Sequence, residues 1–207
     1  MKNAGQLALA GVAVFAVVTA AHAGKSGGLV GKLRAGGYVL LMRHASSPPA
    51  PLAASSADPQ NRTGERQLDA KGRADAIAMG VAMRRLQVPL GQVYSSPTYR
   101  ARETLRLARI GPAKTIDFLG DRGNGVMMSQ AASGGSDRLR KLSAEAPLPG
   151  TDTVIVTHMP NILAAYPDAA RGLGDGEALV LRPDHGNAVV IARIPIEEWP
   201  ILAGMKR

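Results

Sequence analysis

The chain has 207 residues, of which 45% are apolar, 20% are charged and 3% are aromatic. These values are ordinary for a globular domain and exclude a chain that is disordered throughout. The absence of cysteine excludes disulfides and zinc–thiolate sites, and the net charge of +9 fits either an anion-binding site or a solvated basic surface. With no block of five Lys or Arg and few aromatic rings, a nucleic-acid partner is not expected.

Residues 1–23 predict a targeting leader. Lys2 precedes an apolar run from Leu7 to Val18, and Ala21-His22-Ala23 gives a small-x-small cleavage pattern. The run is short for a bilayer span, so a cleaved signal peptide is favoured over a retained anchor. Lys2 is the one charged residue of this segment, so the mature chain would carry a charge of +8. No other stretch is apolar enough for stable membrane insertion.

A linker and a strand are predicted next. Residues 24–35 begin with Gly-Lys-Ser-Gly-Gly and predict a linker, which leaves 36–207 as one domain. The apolar run over 38–42 predicts a buried strand that ends at Arg43-His44. Residues 45–64 are rich in Pro, Ser and Ala without a period, and they predict a long loop of the kind that often carries function.

Helices and strands then alternate along the chain. Residues 71–87 carry apolar side chains at helical spacing, namely Ala74, Ile77, Ala78, Val81 and Ala82. A strand over 92–95 leads through Pro97 to a helix that Thr98 caps and that ends near Ala108.

The second half of the domain continues this alternation. A helix is predicted over 136–144, and a third buried strand over 153–157 ends at His158. Residues 178–181 and 188–194 predict a terminal pair of strands, with a turn over 183–187 that leaves His185 facing solvent. The alternation predicts an α/β fold: a three-layer sandwich with a central, mostly parallel sheet flanked by helices.

Two histidines follow buried strands, His44 after the first and His158 after the third. Because ligands of open α/β sheets bind beyond the carboxyl ends of the strands, both would face one pocket if their strands are neighbours. Arg43 and Arg100 add forked donors that suit phosphoryl oxygens. One neutral imidazole would be a nucleophile and the other a donor to the transferring group. The alternative for either histidine alone is a hydrogen-bonded structural residue.

A metal site is not expected from this set. No third histidine and no carboxylate cluster lies near the two histidines in the sequence, and the adjacent arginines would repel a cation.

Four segments resemble motifs of the histidine phosphatase superfamily, also called the phosphoglycerate mutase-like family, in that family's order. They are LLMRHA (40–45), LDAKGRADA (68–76), YSSPTYRARETL (94–105) and VIVTHMPNI (154–162). Together they span roughly residues 36–194 and imply the phosphoglycerate mutase-like fold. The resemblance implies no metal and no organic cofactor.

The resemblance also implies roles for the matching residues. His44 would be phosphorylated during turnover, Arg43 and Arg100 would hold the phosphoryl oxygens, and His158 would stabilise the transferring group. Asn161 would offer a polar contact to the substrate, with a helix N-cap as the alternative. Thr104, in contrast, would pack or cap rather than react.

The sequence departs from the family pattern in three places, of which the last two bear on the general acid. Ala45 stands where Gly usually follows the first histidine, which casts only mild doubt on activity. Met159 stands where a small or acidic residue often follows the second histidine, so the proton donor of the acid-phosphatase branch is missing. In the mutase branch a Glu downstream of the Arg segment protonates the leaving group, and the acidic residues in that region here are Asp117 and Asp121. Asp121 is preferred because its loop is flanked by glycines, and the alternative is that it is a turn residue.

The expected function is that of an exported phosphatase acting on small phosphorylated substrates through a phosphohistidine at His44. A phosphohistidine protein phosphatase is an alternative that the short domain suggests and that export argues against. A non-catalytic domain that binds phosphorylated ligands is a third reading, since it would keep Arg43 and Arg100. A mutase is disfavoured by export and by the short chain. Nothing in the sequence specifies an oligomeric state.

Overall fold

The computed structural model describes residues 28–49, 61, 64–121 and 128–205, and for 128–133 the backbone alone. The predicted signal peptide (1–23) and most of the predicted loop over 45–64 lie outside the described residues. No helix within the described ranges is long and apolar enough to cross a membrane.

A sheet forms the centre of the fold. Its strands are β1 (Val39–Arg43), β2 (Leu90–Ser95), β3 (Lys114–Thr115), β4 (Asp152–Thr157), β5 (Ala178–Asp184) and β6 (Asn187–Ile194). The order across the sheet is β3-β2-β4-β1-β5-β6. The first four of these in the order pair parallel, and β5 and β6 extend the sheet antiparallel beyond β1. The predicted α/β fold with a mostly parallel sheet is confirmed.

Helices cover both faces of this sheet. They are α1 (residues 28–35), α2 (Ala70–Arg85), α3 (Tyr99–Ala108), α4 (Met128–Ala144), α5 (Met159–Ala165) and α6 (Glu198–Leu202), with a 3-10 turn at Asp117–Leu119. Leu40 and Val154 pack in one core with α1, α2, α3 and α6, whereas Leu41 and Ile155 pack in a second core with α4 and α5. Because β1 and β4 are buried on both faces, their sequences are continuous apolar runs, which is why those runs predicted strands.

The linker predicted over 24–35 is wrong for residues 28–35, which form α1. Val30 and Leu33 are buried there, and Arg34 Nε donates to Leu86 O at 2.7 Å. The helical spacing of Leu29, Val30 and Leu33 is present in the sequence. The glycines on either side of this short segment obscure it.

The buried face of α2 also differs from the prediction. Ile77 and Val81 are exposed, whereas the buried positions are Gly72, Ala76, Met79, Gly80, Ala82 and Met83. The reason is close backbone contact, since a Cβ at Gly80 would lie 1.9 Å from the Ala108 carbonyl oxygen of α3. Helix α2 therefore packs through its glycines, which a count of large apolar residues does not reveal.

Replacing Gly80 by Ala tests this packing. At an exposed helical position, replacing Gly by Ala stabilises a protein by up to ~1 kcal/mol. At Gly80 the new Cβ would overlap the Ala108 carbonyl, so the substitution should instead lower the free energy of unfolding by roughly 1–3 kcal/mol. Urea unfolding of Gly80→Ala and Gly134→Ala measures the contrast, because a Cβ at Gly134 in α4 would meet nothing within 4 Å. Equal changes in the free energy of unfolding of the two variants would contradict a close backbone contact at Gly80.

The connection between β5 and β6 is a two-residue turn at His185-Gly186. His185 has φ of 46° and Gly186 has φ of 83°, the left-handed conformations that join antiparallel strands tightly. The predicted turn is confirmed, and the His185 side chain is 99% exposed. His185 therefore lies outside both cores.

Asp152 is a buried carboxyl at the first residue of β4, the end of that strand opposite His158. Its Oδ1 accepts from Tyr38 N at 2.9 Å, and its buried Oδ2 has no hydrogen-bond partner among the described residues. Burial raises the pKa of Asp152 to about 7, and the hydrogen bond from Tyr38 only partly opposes this.

Asp152→Asn should change how stability depends on pH. Above the ordinary pKa of 3.8 the unfolded chain has lost this proton while the folded chain keeps it up to about 7, so the contribution of Asp152 to stability falls across that window. Asn stays neutral and still accepts from Tyr38 N. The free energy of unfolding of the variant, relative to that of the wild type, should therefore rise by roughly 1–3 kcal/mol as the pH increases from 4 to 8.

Chemical unfolding of both proteins from pH 4 to pH 8 measures this difference. Other titrating groups are common to both proteins and cancel. Any cost of burying the amide of the Asp152→Asn variant is independent of pH, so it changes the difference in unfolding free energy between the two proteins equally at every pH. A difference that does not change with pH would show that Asp152 is ionised throughout.

Candidate functional site

The carboxyl ends of β1 and β4 bring the two predicted histidines together. The strands are parallel neighbours with Arg43 opposite Thr157, and His44 N donates to Thr157 O at 3.1 Å. The imidazole centroids of His44 and His158 lie 5.2 Å apart, with the ring planes at 62°. Both residues are almost fully buried. The expected convergence of two strand-end histidines is thus what the fold provides.

Arg100 lies between the two imidazoles. It follows β2 as the second residue of α3, and β2 runs parallel to β4, so its helix begins at the same edge of the sheet. Its Nε lies 3.1 Å from His44 Nε2, and an Nη lies 3.1 Å from His158 Nδ1. One buried guanidinium group therefore bridges both histidines.

These contacts determine which nitrogen of each imidazole carries its proton. A guanidinium group only donates, so His44 Nε2 and His158 Nδ1 are acceptors without a proton. The other nitrogens then donate, His44 Nδ1 to Ala45 O at 2.8 Å and His158 Nε2 to Ser96 Oγ at 2.8 Å. The His44 Nε2 lone pair consequently faces the site.

Burial and positive charge keep both imidazoles neutral. Burial lowers the pKa of His44 to about 4, Arg100, Arg43 and Arg66 add to the lowering, and the hydrogen bond to Ala45 O opposes it. The pKa of His158 falls to about 2, again chiefly through burial and then through Arg100. At neutral pH both rings are uncharged, and an uncharged imidazole is the nucleophilic form.

Asp121, the preferred acid candidate, lies at this site. Its Oδ2 pairs with the Arg100 guanidinium at 2.6 Å, and its side chain is 29% exposed. The rival candidate Asp117 begins the 3-10 turn and is exposed, with no contact to either histidine among the contacts of the described residues. Asp121 is therefore the carboxyl that reaches Arg100.

The side chain of Asn161 bonds to the segment that precedes Asp121 and to Thr157. Its Nδ2 donates to Leu119 O at 3.0 Å, to Gly120 O at 3.1 Å and to Thr157 Oγ1 at 2.9 Å. The N-cap alternative is wrong, because α5 begins at Met159 with His158 as its N-cap. Asn161 fixes the backbone just before Asp121, and its contact with substrate stays a prediction.

Arg43 lies at the edge of the site. Its guanidinium pairs with Asp175 Oδ1 at 2.7 Å, and a second nitrogen lies 3.5 Å from Leu173 O. Its charge nevertheless contributes to the lowered pKa of His44 and of His158. The predicted role of Arg43 in holding phosphoryl oxygens stays a prediction.

A third arginine, Arg66, was missed by the sequence reasoning. Its Nε donates to Pro48 O at 2.7 Å and an Nη donates to Ser47 O at 3.1 Å, which fastens the chain just after His44. Its charge lowers the pKa of both histidines and of Arg100. No periodicity or motif marks this position in the sequence, since it lies just beyond the predicted loop.

The cap of α3 is also supplied by this segment. Glu65 Oε2 accepts from Tyr99 N at 2.8 Å, whereas Thr98, the predicted cap, makes no side-chain capping bond. The Thr98 hydroxyl instead lies 3.3 Å from His158 Nε2. Thr98 and Ser96 therefore both contact His158 Nε2. The sequence includes them in the segment YSSPTYRARETL but gives neither of them a role in the site.

Thr104 packs as expected and also ties two parts of the site together. Its Oγ1 accepts from Ala45 N at 3.1 Å and donates to Arg100 O at 2.8 Å. The segment after His44 and the helix that carries Arg100 are thereby held at a fixed separation. Within the described ranges no group of three or more His, Cys, Asp or Glu is arranged to hold a metal ion.

Comparison with known proteins agrees with the resemblance that the sequence motifs indicate. Residues 39–134 match the model of the histidine phosphatase superfamily (branch 1). The comparison with curated proteins gives no match. The match includes three of the four motifs that carry the resemblance, and the motif at 154–162 lies beyond it.

Three solved structures illustrate the shared fold. A protein assigned provisionally as the phosphohistidine phosphatase SixA from Nakamurella multipartitia has a TM-score of 0.54 at 21% identity, with 76% of this chain and 95% of that one covered. The protein histidine phosphatase SixA complexed with tungstate gives 0.52 at 15% identity, covering 78% and 98%. A mutant phosphoserine phosphatase from Entamoeba histolytica with phosphoserine gives 0.52 at 14%, covering 77% and 98%. At these identities the likeness establishes the fold.

Proposed function

We propose that this chain, whose residues 39–134 match the model of the histidine phosphatase superfamily, hydrolyses small phosphomonoesters through a phosphohistidine intermediate on His44. One observation carries the proposal: the Arg100 guanidinium lies 3.1 Å from His44 Nε2 and 3.1 Å from His158 Nδ1. A phosphoryl group that takes over these donors lies next to the His44 lone pair. The match to the superfamily model supports phosphatase activity, and the substrate class is our proposal.

The chemistry has two steps. The His44 Nε2 lone pair attacks phosphorus and the ester P–O bond breaks, so the alcohol leaves and the phosphoryl group is held on nitrogen. Water then attacks phosphorus, the P–N bond breaks, and inorganic phosphate leaves with His44 neutral again. Arg100 and Arg43 neutralise the phosphoryl oxygens throughout, which is the main requirement of phosphoryl transfer. The hydrogen bond from Nδ1 to Ala45 O stabilises the ring while Nε2 carries the phosphoryl group.

The leaving alcohol needs a proton, and Asp121 is our candidate donor. Its Oδ2 accepts from Arg100 in the structure. When phosphoryl oxygens engage Arg100, the carboxylate is released beside the leaving group, where it takes up a proton from the substrate monoanion or from solvent and passes it to the departing oxygen.

His44→Ala tests the nucleophile. Turnover of p-nitrophenyl phosphate should fall by at least about 10³-fold, because no other group replaces the attacking nitrogen. His185→Asn is the matched control, since His185 is 99% exposed and Asn tolerates its left-handed backbone. Wild-type turnover by His44→Ala would remove the mechanism, and absence of turnover by the wild type would instead favour a non-catalytic phosphate-binding domain.

A phosphohistidine protein phosphatase is the second candidate, and the Asp121 contact favours it. A carboxylate engaged with Arg100 accepts rather than donates, and the nitrogen leaving group of a phosphoramidate needs less help from an acid. Export, which we propose below, argues against a cytoplasmic phosphoprotein as the substrate.

Asp121→Asn separates the two candidates. If Asp121 is the general acid, hydrolysis of glycerol phosphate should fall ~10²-fold or more, while hydrolysis of p-nitrophenyl phosphate, whose leaving group is activated, changes little. Asp117→Asn is the matched control on the same segment. Equal losses on both esters would remove Asp121 as the acid. Faster turnover of phosphoramidate than of glycerol phosphate, unaffected by the variant, would establish the second candidate.

We also propose that the enzyme is exported. The support is the sequence of residues 1–23, with Lys2, the short apolar run and Ala21-His22-Ala23 before Gly24. N-terminal sequencing of the protein recovered from outside the cytoplasm should begin at Gly24. A sequence that begins at Met1 would indicate a retained anchor or no export.

A further inference from the structure

Two hydroxyl groups lie behind His158, on the side of the ring away from Arg100. Ser96 is fully buried directly after β2, and its Oγ lies 2.8 Å from His158 Nε2. Thr98 Oγ1 lies 3.3 Å from the same nitrogen and 3.2 Å from Ser96 Oγ. Every polar neighbour of His158 Nε2 among the described residues is therefore a hydroxyl.

The protonation that Arg100 imposes on His158 does not suit a bound phosphoryl group. His158 Nδ1 accepts from Arg100, so its lone pair faces the position that phosphoryl oxygens would occupy. Phosphoryl oxygens are acceptors as well, and two acceptors facing each other repel. Adding a second proton to the ring is opposed by burial and by the arginines, which lower the pKa of His158 to about 2.

A neutral His158 can still donate if its single proton moves to the other nitrogen. The Nε2 atom would then become an acceptor and would need a donor behind it. A carboxylate at that place would only accept and would keep the proton on Nε2. A hydroxyl both donates and accepts, so Ser96 and Thr98 satisfy Nε2 in either arrangement.

We propose that Ser96, assisted by Thr98, is a positioning residue that lets neutral His158 carry its proton on Nε2 while Nδ1 accepts from Arg100, and on Nδ1 when a phosphoryl group is bound. Nδ1 gains a proton from the entering phosphate monoanion or from water. Nε2 passes its proton to Ser96 Oγ, the Ser96 proton moves to Thr98, and a proton leaves Thr98 for solvent. The ring stays neutral and the hydrogen bond between Ser96 and Nε2 reverses direction.

Nitrogen-15 NMR of the full-length protein reads the two arrangements directly. His158 should show a protonated Nε2 in the ligand-free protein and a protonated Nδ1 with saturating inorganic phosphate. An Nδ1-protonated ring in the ligand-free protein would overturn the inference. So would an unchanged ring when phosphate is bound.

Removal of both hydroxyls provides a kinetic test. Ser96→Ala/Thr98→Val should lower kcat for p-nitrophenyl phosphate about 10- to 100-fold with a smaller change in KM, because donation from His158 strengthens as charge spreads over the transferring group. Ser95→Ala is the matched control, since Ser95 is equally buried but its hydroxyl donates to Ser96 O. A double variant with wild-type kcat would overturn the inference. The conservative variant Ser96→Thr keeps a hydroxyl at this position and should therefore keep a kcat close to that of the wild type.

The inference rests on the proposed function, and the two can fail separately. Absence of turnover in the wild type would remove the phosphatase proposal, and the NMR response to inorganic phosphate would still decide where His158 carries its proton. Turnover that depends on His44 but not on the hydroxyl pair would leave the phosphatase and remove the role of Ser96.

Discussion

The site is organised around a buried cation between two rings. Arg100 is 5% exposed, and a guanidinium group in such a place is costly unless its donors are engaged. Its partners are His44 Nε2, His158 Nδ1 and the Asp121 carboxylate. The same contacts determine the protonation of both imidazoles, because a donor aimed at a ring nitrogen requires a lone pair there. The Arg100 guanidinium therefore keeps the lone pair on His44 Nε2, as a nucleophile requires, and keeps the proton off His158 Nδ1, so that this nitrogen cannot donate.

Close backbone packing keeps Arg100 in place relative to His44. A Cβ at Gly72 would lie 2.1 Å from Ser46 O, and one at Gly80 would lie 1.9 Å from Ala108 O, so α2 rests directly on the segment after His44 and on the end of α3. Thr104 joins the same two parts by hydrogen bonds. Helix α2 contributes no group to the chemistry, yet it sets the separation on which the 3.1 Å contact between Arg100 and His44 depends.

The sequence predicted those parts of the structure that follow from local patterns. Strands buried on both faces read as apolar runs, and the residues at their ends, His44 and His158, could be placed at one edge of the sheet. The contacts of Arg66 and of Ser96 could not be predicted, because each joins segments far apart in the chain. The face of α2 was mistaken because glycines, rather than large side chains, form its contact. The helix over 28–35 was missed because glycines surround it.

The contacts of Arg100 also bear on what changes when a phosphoryl group binds. Its donors are shared among a nucleophile, a ring and a carboxylate. Phosphoryl oxygens are stronger acceptors for a guanidinium group than a neutral imidazole is, since they carry charge. An entering phosphoryl group would thus release all three groups in one exchange, freeing the His44 lone pair to attack, Asp121 to meet the leaving oxygen and His158 to turn from acceptor to donor. Asp121 must then take up a proton before it can donate one, whereas His158 must move its proton from one ring nitrogen to the other. The hydroxyl pair at Ser96 and Thr98 therefore acts together with Arg100 on the protonation of His158.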